Sequence, residues 1–413
     1  MESAQEIAEG SPEGFGTACV HSGHTPDPRS AHLTPIYASS TFVFDTAQQG
    51  MDRFSGKTDG FIYSRWGNPS FREAENKIAA LETFGLKDAS GQPLQAKGLL
   101  HASGMGALST LFFSQLKAGD KVLTHPSLYG GTNEILLKIF PSLGVEAVII
   151  DMHDLDRVED TLKADPAIRM VYLETPANPT LRCVDLEACL GLAKQYKRVS
   201  AVDNTFATPY LQQPFRYGAD YVFHSTTKFL NGHGTAIGGI LLGKDIETMQ
   251  GRVTKVHQLM GANSNPFDAY LLTQGIRTLE LRMQRHCSNA SRIAEFLEAH
   301  PAVAAVNYPG LASHPDHAIA QKQMSHPGAM LSFELKGGME GGKKFIDALR
   351  ICVRAVSLGT CDTLVSHPAS MSHYGVPKSQ REKGGISDGL IRMSVGIENI
   401  EDLLGDLGQA LEK

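Results

Sequence analysis

Tyr221-Val222-Phe223-His224-Ser225-Thr226-Thr227-Lys228-Phe229-Leu230-Asn231-Gly232-His233-Gly234 is an apolar run that stops at hydroxyls and an amine, then turns glycine-rich. Such a strand end presents Lys228 beside Ser225 and Thr227. Lysines held this way form imines with carbonyl compounds, and the neighbouring hydroxyls can hold a phosphate. Read alone, the stretch equally fits a strand entering a surface turn with an ordinary exposed lysine. Its surroundings decide.

Two other apolar runs end in the same manner. Met170-Val171-Tyr172-Leu173 leads to Glu174 and Asn178, and Ser200-Ala201-Val202 leads to Asp203. Asn178, Asp203 and Lys228 fall at equal intervals, which suits one strand–helix unit each. Carboxyl ends of parallel strands line the ligand crevice of open α/β sheets. The three residues are therefore expected on one rim.

Working outward, strands are expected at Lys121–Thr124 and Ala147–Ile150, and helices at Ser70–Leu81 and Met105–Leu116. Residues 86–97 read as a polar loop. The alternation predicts a largely parallel sheet covered on both faces. After Asn265-Pro266 the pattern predicts one long helix over Asp268–His286. Strands at Met330–Leu335 and Leu390–Val395, and helices at Lys343–Leu349 and 400–412, follow. The expected organisation is an arm over 1–65, a large domain over 66–265 and a smaller C-terminal α/β domain over 266–413. The arm carries Pro35-Ile36-Tyr37 and Thr41-Phe42-Val43-Phe44, too much apolar surface for a solvated tail. It is expected to pack on a neighbouring domain or subunit.

At 413 residues the chain exceeds one compact core. A net charge of -6 gives no electrostatic case for a nucleic-acid partner. No apolar run is long enough to cross a bilayer, and Met1–Gly16 lacks an apolar leader. The six cysteines are scattered and form no CxxC pair, so they read as reduced thiols of a cytoplasmic protein. No Walker loop or HExxH pattern occurs, and His314 and His317 read as surface histidines rather than metal ligands. No metal is expected.

Other residues complete a candidate site. Ser103-Gly104-Met105 opens a helix, where free N–H groups and a glycine suit an anion. Tyr63-Ser64-Arg65 offers a phenol and a guanidinium, and Arg binds phosphate through paired hydrogen bonds. Tyr129, in Tyr129-Gly130-Gly131-Thr132, could stack on a flat ring and shuttle a proton. Asp203 reads equally as a helix N-cap or as the partner of a pyridine nitrogen. Asn178 reads as a turn residue or as an amide facing a ring hydroxyl. Arg392 interrupts an apolar strand and needs a partner, structural or a substrate carboxylate.

The ordered set Tyr63-Ser64-Arg65-Trp66-Gly67-Asn68-Pro69, Ser103-Gly104-Met105, Tyr129-Gly130-Gly131-Thr132, Asp203-Asn204-Thr205-Phe206, His224–Lys228, Ser357-Leu358-Gly359 and Arg392-Met393-Ser394-Val395-Gly396 resembles the Cys/Met-metabolism (trans-sulfuration) family. The resemblance runs from about Gly16 to the C-terminus. It implies pyridoxal 5'-phosphate, the aspartate aminotransferase-like fold (fold type I) with a mostly parallel seven-stranded-type sheet, and a homotetramer built as a dimer of dimers. It implies that Lys228 carries the cofactor and that Ser103, Gly104, Met105, Ser225 and Thr227 cradle the phosphate. Tyr63 and Arg65 are implied to reach the phosphate of an adjacent subunit. Ser357 and Arg392 are implied to bind an amino-acid substrate, and Tyr129 to act in catalysis.

Within that family the C-terminal half resembles the methionine γ-lyases, through Gly310–Ser313, Phe333–Gly338 and His367–Met371, whereas Gly131 resembles the cystathionine γ-lyases and homoserine-ester sulfhydrylases. The implied reaction is α,γ-elimination from a sulfur amino acid, with γ-replacement on an O-acyl homoserine as the alternative. Gly131 stands where methionine γ-lyases carry a cysteine, and His257-Gln258 where they carry a Lys-Asp pair.

Overall fold

The computed structural model describes residues 12–24 and 26–413. Most of the Met1–Gly16 segment lies outside the described residues. Helix α1 (Phe15–His21) buries Ala18 and Cys19 against the body of the chain. Helix α2 (Pro69–Glu82) starts at the Asn68 N-cap with proline in its first turn, a position that costs no hydrogen bond. Its Phe71, Ala74, Ile78 and Leu81 are buried, as their spacing predicts. Lys77 is fully buried on α2, and its Nζ donates to Cys19 O (3.1 Å), Val20 O (3.1 Å) and Ser22 O (2.6 Å). These bonds satisfy carbonyls that the end of α1 leaves free. Burial pushes the Lys77 amine down to about 8. The first part of the arm thus docks on its own chain, whereas Val43, Met51 and Phe54 stay exposed.

The large sheet has seven strands: β1 (Lys97–His101), β2 (Lys121–Thr124), β3 (Glu146–Ile149), β4 (Ile168–Glu174), β5 (Val199–Asp203), β6 (Tyr221–His224) and β7 (Gly239–Gly243). Their order is β1-β7-β6-β5-β4-β2-β3, and only β7 runs against the rest. The sequence reading found the five strands from β2 to β6. β1 and β7 lie outside it, because their apolar cores, Leu99-Leu100 and Ile240-Leu241-Leu242, are short and bordered by glycine. Helix α3 (Gly104–Gln115) covers one face, and the short helix α4 (Gly130–Glu134) follows β2.

The expected single helix over Asp268–His286 is two helices, α5 (Pro266–Ile276) and α6 (Leu279–Ala299). The break has a cause. The Gly275 carbonyl leaves the helical ladder and accepts from Arg282 Nη2 (2.7 Å) and Thr278 N (3.3 Å).

The small sheet holds β8 (Val303–Asn307), β9 (Met330–Leu335), β10 (Val353–Arg354), β11 (Leu364–Ser366) and β12 (Leu390–Ser394), in the order β10-β11-β12-β9-β8. Helix α7 (Gly338–Ala348) packs on β9 and β12, and helix α8 (Ile400–Leu411) packs on α7 and α6, closing the same core. Helix α6 serves both cores. Leu279, Met283 and Cys287 pack with the large sheet, and Ala290, Ile293, Ala294 and Leu297 with the small one.

Candidate active site

Three adjacent strands end on one rim, with Glu174 opposite Asp203, and Asp203 opposite Phe223. Lys228 sits in the turn beyond β6, held by Lys228 N donating to Ser225 O (3.3 Å) and Gly232 N donating to Lys228 O (2.8 Å). Two outside groups fix this turn. Arg282 Nη1 donates to Phe229 O at 2.8 Å. Gly359, at φ 81°, lies so close that a Cβ there would be 2.5 Å from Phe229 N. Only glycine permits that approach.

Lys228 Nζ donates to Ser357 Oγ at 2.7 Å. Arg392, on β12, donates through Nη2 to Ser357 O (2.7 Å) and through Nη1 to Asn178 Oδ1 (3.3 Å). Arg392 Nε is buried without a partner among the described residues. Burial, with the Arg392 charge adding to it, pushes the Lys228 amine down to about 8. Burial also pushes Arg392 down to about 10, which leaves it a cation at neutral pH. A cation with an unused donor beside an amine is a site for a carboxylate.

Asp203 is buried, and its Oδ1 accepts from Thr205 N at 2.9 Å. Thr205 Oγ1 in turn accepts from Ser225 N at 2.9 Å. Burial raises the Asp203 carboxyl above its usual range, opposed by the Thr205 hydrogen bonds. Asp203 forms no ion pair among the described residues, so a protonated ring nitrogen would suit it. Glu174 is held well above the carboxylate range by burial and then by Asp203. Its Oε2 accepts from Tyr129 N (2.7 Å) and its Oε1 from Asn178 N (3.3 Å). It therefore ties the two loops that carry those side chains. The Tyr129 ring is half exposed.

Ser103 caps α3, its Oγ accepting from Gly106 N at 3.0 Å. That hydroxyl is occupied, but the first N–H groups of α3 have no intrahelical partner. A Cβ on Gly104 would lie 3.0 Å from Ser225 Cβ, so glycine keeps the helix end and the Ser225 turn together. Thr227 Oγ1 donates to Gly238 O (3.2 Å) and accepts from Gly238 N (3.0 Å). A phosphate bond from Thr227 would replace the first of these. Met105 Sδ and the Tyr129 ring crowd Gly131, where a Cβ would meet them at 2.9 and 2.7 Å. Tyr63 and Arg65 stand apart: Arg65 Nη1 donates to Gln258 O, and its guanidinium lies 5.7 Å from the Tyr63 ring centre. Neither bonds to the Lys228 cluster among the described residues. No group of three or more metal-binding side chains occurs there either.

The donor set fits pyridoxal phosphate. It has an amine for the aldehyde, a buried carboxylate for the ring nitrogen and a helix end for the phosphate. The sequence did not assign a role to Arg282, although a charge within an apolar helix stripe is the counterpart of the charge in an apolar strand that singled out Arg392. Thr205 stood in a quoted motif, but only the structure gives it the Asp203 and Ser225 bonds.

Residues 16–412 match the family described as Cys/Met metabolism PLP-dependent enzyme. An "L-methionine gamma-lyase" of Fusobacterium nucleatum subsp. polymorphum is 47% identical over 401 residues, spanning 97% of this chain and 98% of that protein. One of Porphyromonas gingivalis is 45% identical over 400 residues, spanning 97% of both. Among solved structures, cystathionine gamma synthase from Xanthomonas oryzae pv. oryzae superposes with a TM-score of 0.89 at 37% identity, covering 97% of this chain and 98% of that one. With an amine, a buried carboxylate and a helix end on one rim, and a match over nearly its whole length, the chain belongs to the Cys/Met metabolism PLP-dependent enzymes.

Proposed function

We propose that the protein cleaves the Cγ–S bond of L-methionine or a related sulfur amino acid, releasing 2-oxobutanoate, ammonia and a thiol with consumption of one water. The observation that carries this reading is the Lys228–Ser357–Arg392 chain of hydrogen bonds, which sets an amine of lowered basicity beside a carboxylate-binding cation. Pyridoxal phosphate, when bound, supplies an aldehyde and an electron-withdrawing ring that acidifies Cα of an amino acid. Lys228 would hold the aldehyde, Asp203 the ring nitrogen and Asn178 the ring hydroxyl. Gly104, Met105, Ser103, Ser225 and Thr227 would surround the phosphate. Tyr63 and Arg65 would complete that cradle from an adjacent subunit.

Arg392 orients the substrate by its carboxylate. With an amine near pH 8, Lys228 can take the Cα proton at neutral pH and return it. Ser357 aims the amine through its hydroxyl. Lys228 then takes a second proton, from Cβ, before the sulfur departs from Cγ, and Tyr129 gives the departing sulfur its proton. The relatives named as methionine lyases support this reaction. Gly131 supports a second reading, γ-replacement on an O-acyl homoserine. A structural neighbour is a cystathionine gamma synthase, which is consistent with replacement chemistry.

Exposed Val43, Met51, Phe54 and Trp66 support a subunit interface at the arm, within a homotetramer of paired dimers. The six free cysteines support a cytoplasmic setting. No helix among the described residues is long and apolar enough to cross a membrane.

Purified protein should be offered methionine, cystathionine, homocysteine, cysteine, and an O-acyl homoserine with sulfide. Release of 2-oxobutanoate from methionine is the expected result. A sulfur-containing amino acid as the main product, with no 2-oxobutanoate, would establish replacement instead.

A further inference from the structure

Glu82 is the last residue of α2, and neither the reaction nor the cradle described above uses it. Its side chain is fully buried. Oε1 accepts twice, from His224 Nε2 at 2.6 Å and from Asn204 Nδ2 at 2.9 Å. A carboxylate only accepts, so the His224 proton lies on Nε2. Both partners are fully buried, and each is the chain neighbour of a site residue. Asn204 follows Asp203, and His224 precedes Ser225.

The same carboxylate thus grips the ends of β5 and β6 from beneath. Around it the bonds are dense. Asn204 N donates to Phe223 O (2.9 Å), and Asn204 Nδ2 also donates to Gln212 O (2.8 Å). Gln212 Nε2 returns a bond to Asn204 Oδ1 at 3.0 Å and reaches Thr175 O at 3.2 Å. Three atoms of the cluster stay unpaired among the described residues, Glu82 Oε2, His224 Nδ1 and Gln212 Oε1. Burying a carboxylate on one well-filled oxygen is costly, and an apolar residue at the helix end would serve packing better. Three buried atoms without partners in the same cluster argue against a purely structural origin.

We infer that Glu82 is a positioning residue for Asp203, acting through Asn204 and His224 to hold the ring-facing carboxylate and the Ser225 turn in register. The inference rests on the reading that Asp203 faces the cofactor ring. It adds that the ring's partner is set from the far side of the sheet, by the helix that follows the arm. A shift of Glu82 would move both strand ends together, because one oxygen holds both.

The test uses holoenzyme of Glu82→Gln, His224→Asn and Asp203→Asn beside wild type. Three quantities are read: affinity of the apoprotein for pyridoxal phosphate, the pH midpoint of the bound cofactor's visible absorbance, and melting of apo and holo forms. Glu82→Gln and His224→Asn should each weaken cofactor affinity about tenfold, the worth of one charge-assisted hydrogen bond. They should shift the absorbance midpoint in the direction Asp203→Asn shifts it, by less. Equal losses of melting temperature in apo and holo forms, with affinity and midpoint unchanged, would reduce Glu82 to a structural role and overturn the inference. If Glu82→Gln does not fold, His224→Asn decides by the same two readings. An Asp203→Asn protein with unaltered affinity and midpoint would remove the ring-partner reading and this inference with it. Silent Glu82 and His224 variants beside an affected Asp203→Asn would remove the inference alone.

Discussion

Lys228 and Ser357 meet at 2.7 Å, Nζ donating to Oγ, although the chain must pass from the large sheet to the small one to bring them together. Ser357 has a left-handed backbone, φ 85°, and its carbonyl accepts from Arg392 at 2.7 Å. Such a conformation costs a non-glycine residue about 1–3 kcal/mol. Here the strain sets a hydroxyl toward the amine and a carbonyl toward the guanidinium from one residue.

Replacing Ser357 separates the two functions. Ser357→Gly relieves the backbone and removes the hydroxyl, and Ser357→Ala removes the hydroxyl alone. Both should lower kcat/KM by roughly tenfold, about one lost hydrogen bond to a charged group. Ser357→Gly should melt higher than Ser357→Ala, by an amount equivalent to about 1 kcal/mol. Steady-state kinetics and thermal melts check both halves.

Lys228 should show its depressed basicity directly. Its amine sits near pH 8 because burial, and then Arg392, disfavour the cation. Below that value the amine is protonated and does not attack an aldehyde. The rate at which apoprotein takes up pyridoxal phosphate should therefore rise with pH, with a midpoint near 8. Arg392→Leu removes the neighbouring charge and should move the midpoint upward. Lys228→Ala should hold no cofactor against dialysis and release no 2-oxobutanoate.

Gly131 should control the Tyr129 ring. A Cβ there would lie 2.7 Å from Tyr129 Cε1 and 2.9 Å from Met105 Sδ, so one of them must move. Overpacking of this kind costs about 1–3 kcal/mol. Gly131→Cys should change the ratio of activities on methionine and cystathionine by about tenfold while cofactor absorbance is retained. A substrate panel on the variant measures it.

A contact between the two sheets should be pH-dependent. Asp316 accepts from Arg182 Nε (2.6 Å) and Cys183 N (2.9 Å), and lies 3.3 Å from His153 Nε2. His153 also bonds Asp151 at 2.8 Å. Burial works against the Asp316 carboxylate, yet hydrogen bonds from His153, Arg182 and Cys183 outweigh it and hold the group below its usual range. Its contribution is present above about pH 4 and is lost as pH falls through the lowered value. Asp316 raises His153, so that contribution is full below about pH 6.5 and fades as pH rises through the raised value. Asp316→Asn should cost about 2 kcal/mol near pH 6, less than a fully buried pair because Arg182 is partly exposed. The difference from wild type should shrink toward pH 3. Melts across that range test it.

Local sequence patterns specify much of this protein. Apolar runs ending at Glu174, Asp203 and Ser225 marked three neighbouring strands, because a buried parallel strand needs a continuous apolar run and its end meets solvent or ligand. The spacing of Phe71, Ala74, Ile78 and Leu81 marked α2, since one helix face must be buried. Residue chemistry nominated Lys228 and Arg392. The break at Gly275 was not legible, because a side chain on the next helix takes its carbonyl. Nor was the antiparallel β7, whose direction depends on the strands beside it. Tertiary structure alone decided that Ser357 would touch Lys228, that Glu174 would tie Tyr129 to Asn178, and that Glu82 would grip two strand ends. The sequence by itself determined which groups could do chemistry and which segments bear them, because periodicity and side-chain type are local. Which group meets which was left to the packing of two sheets against helix α6, because hydrogen bonds between distant segments exist only once the core has brought them within 3 Å or so.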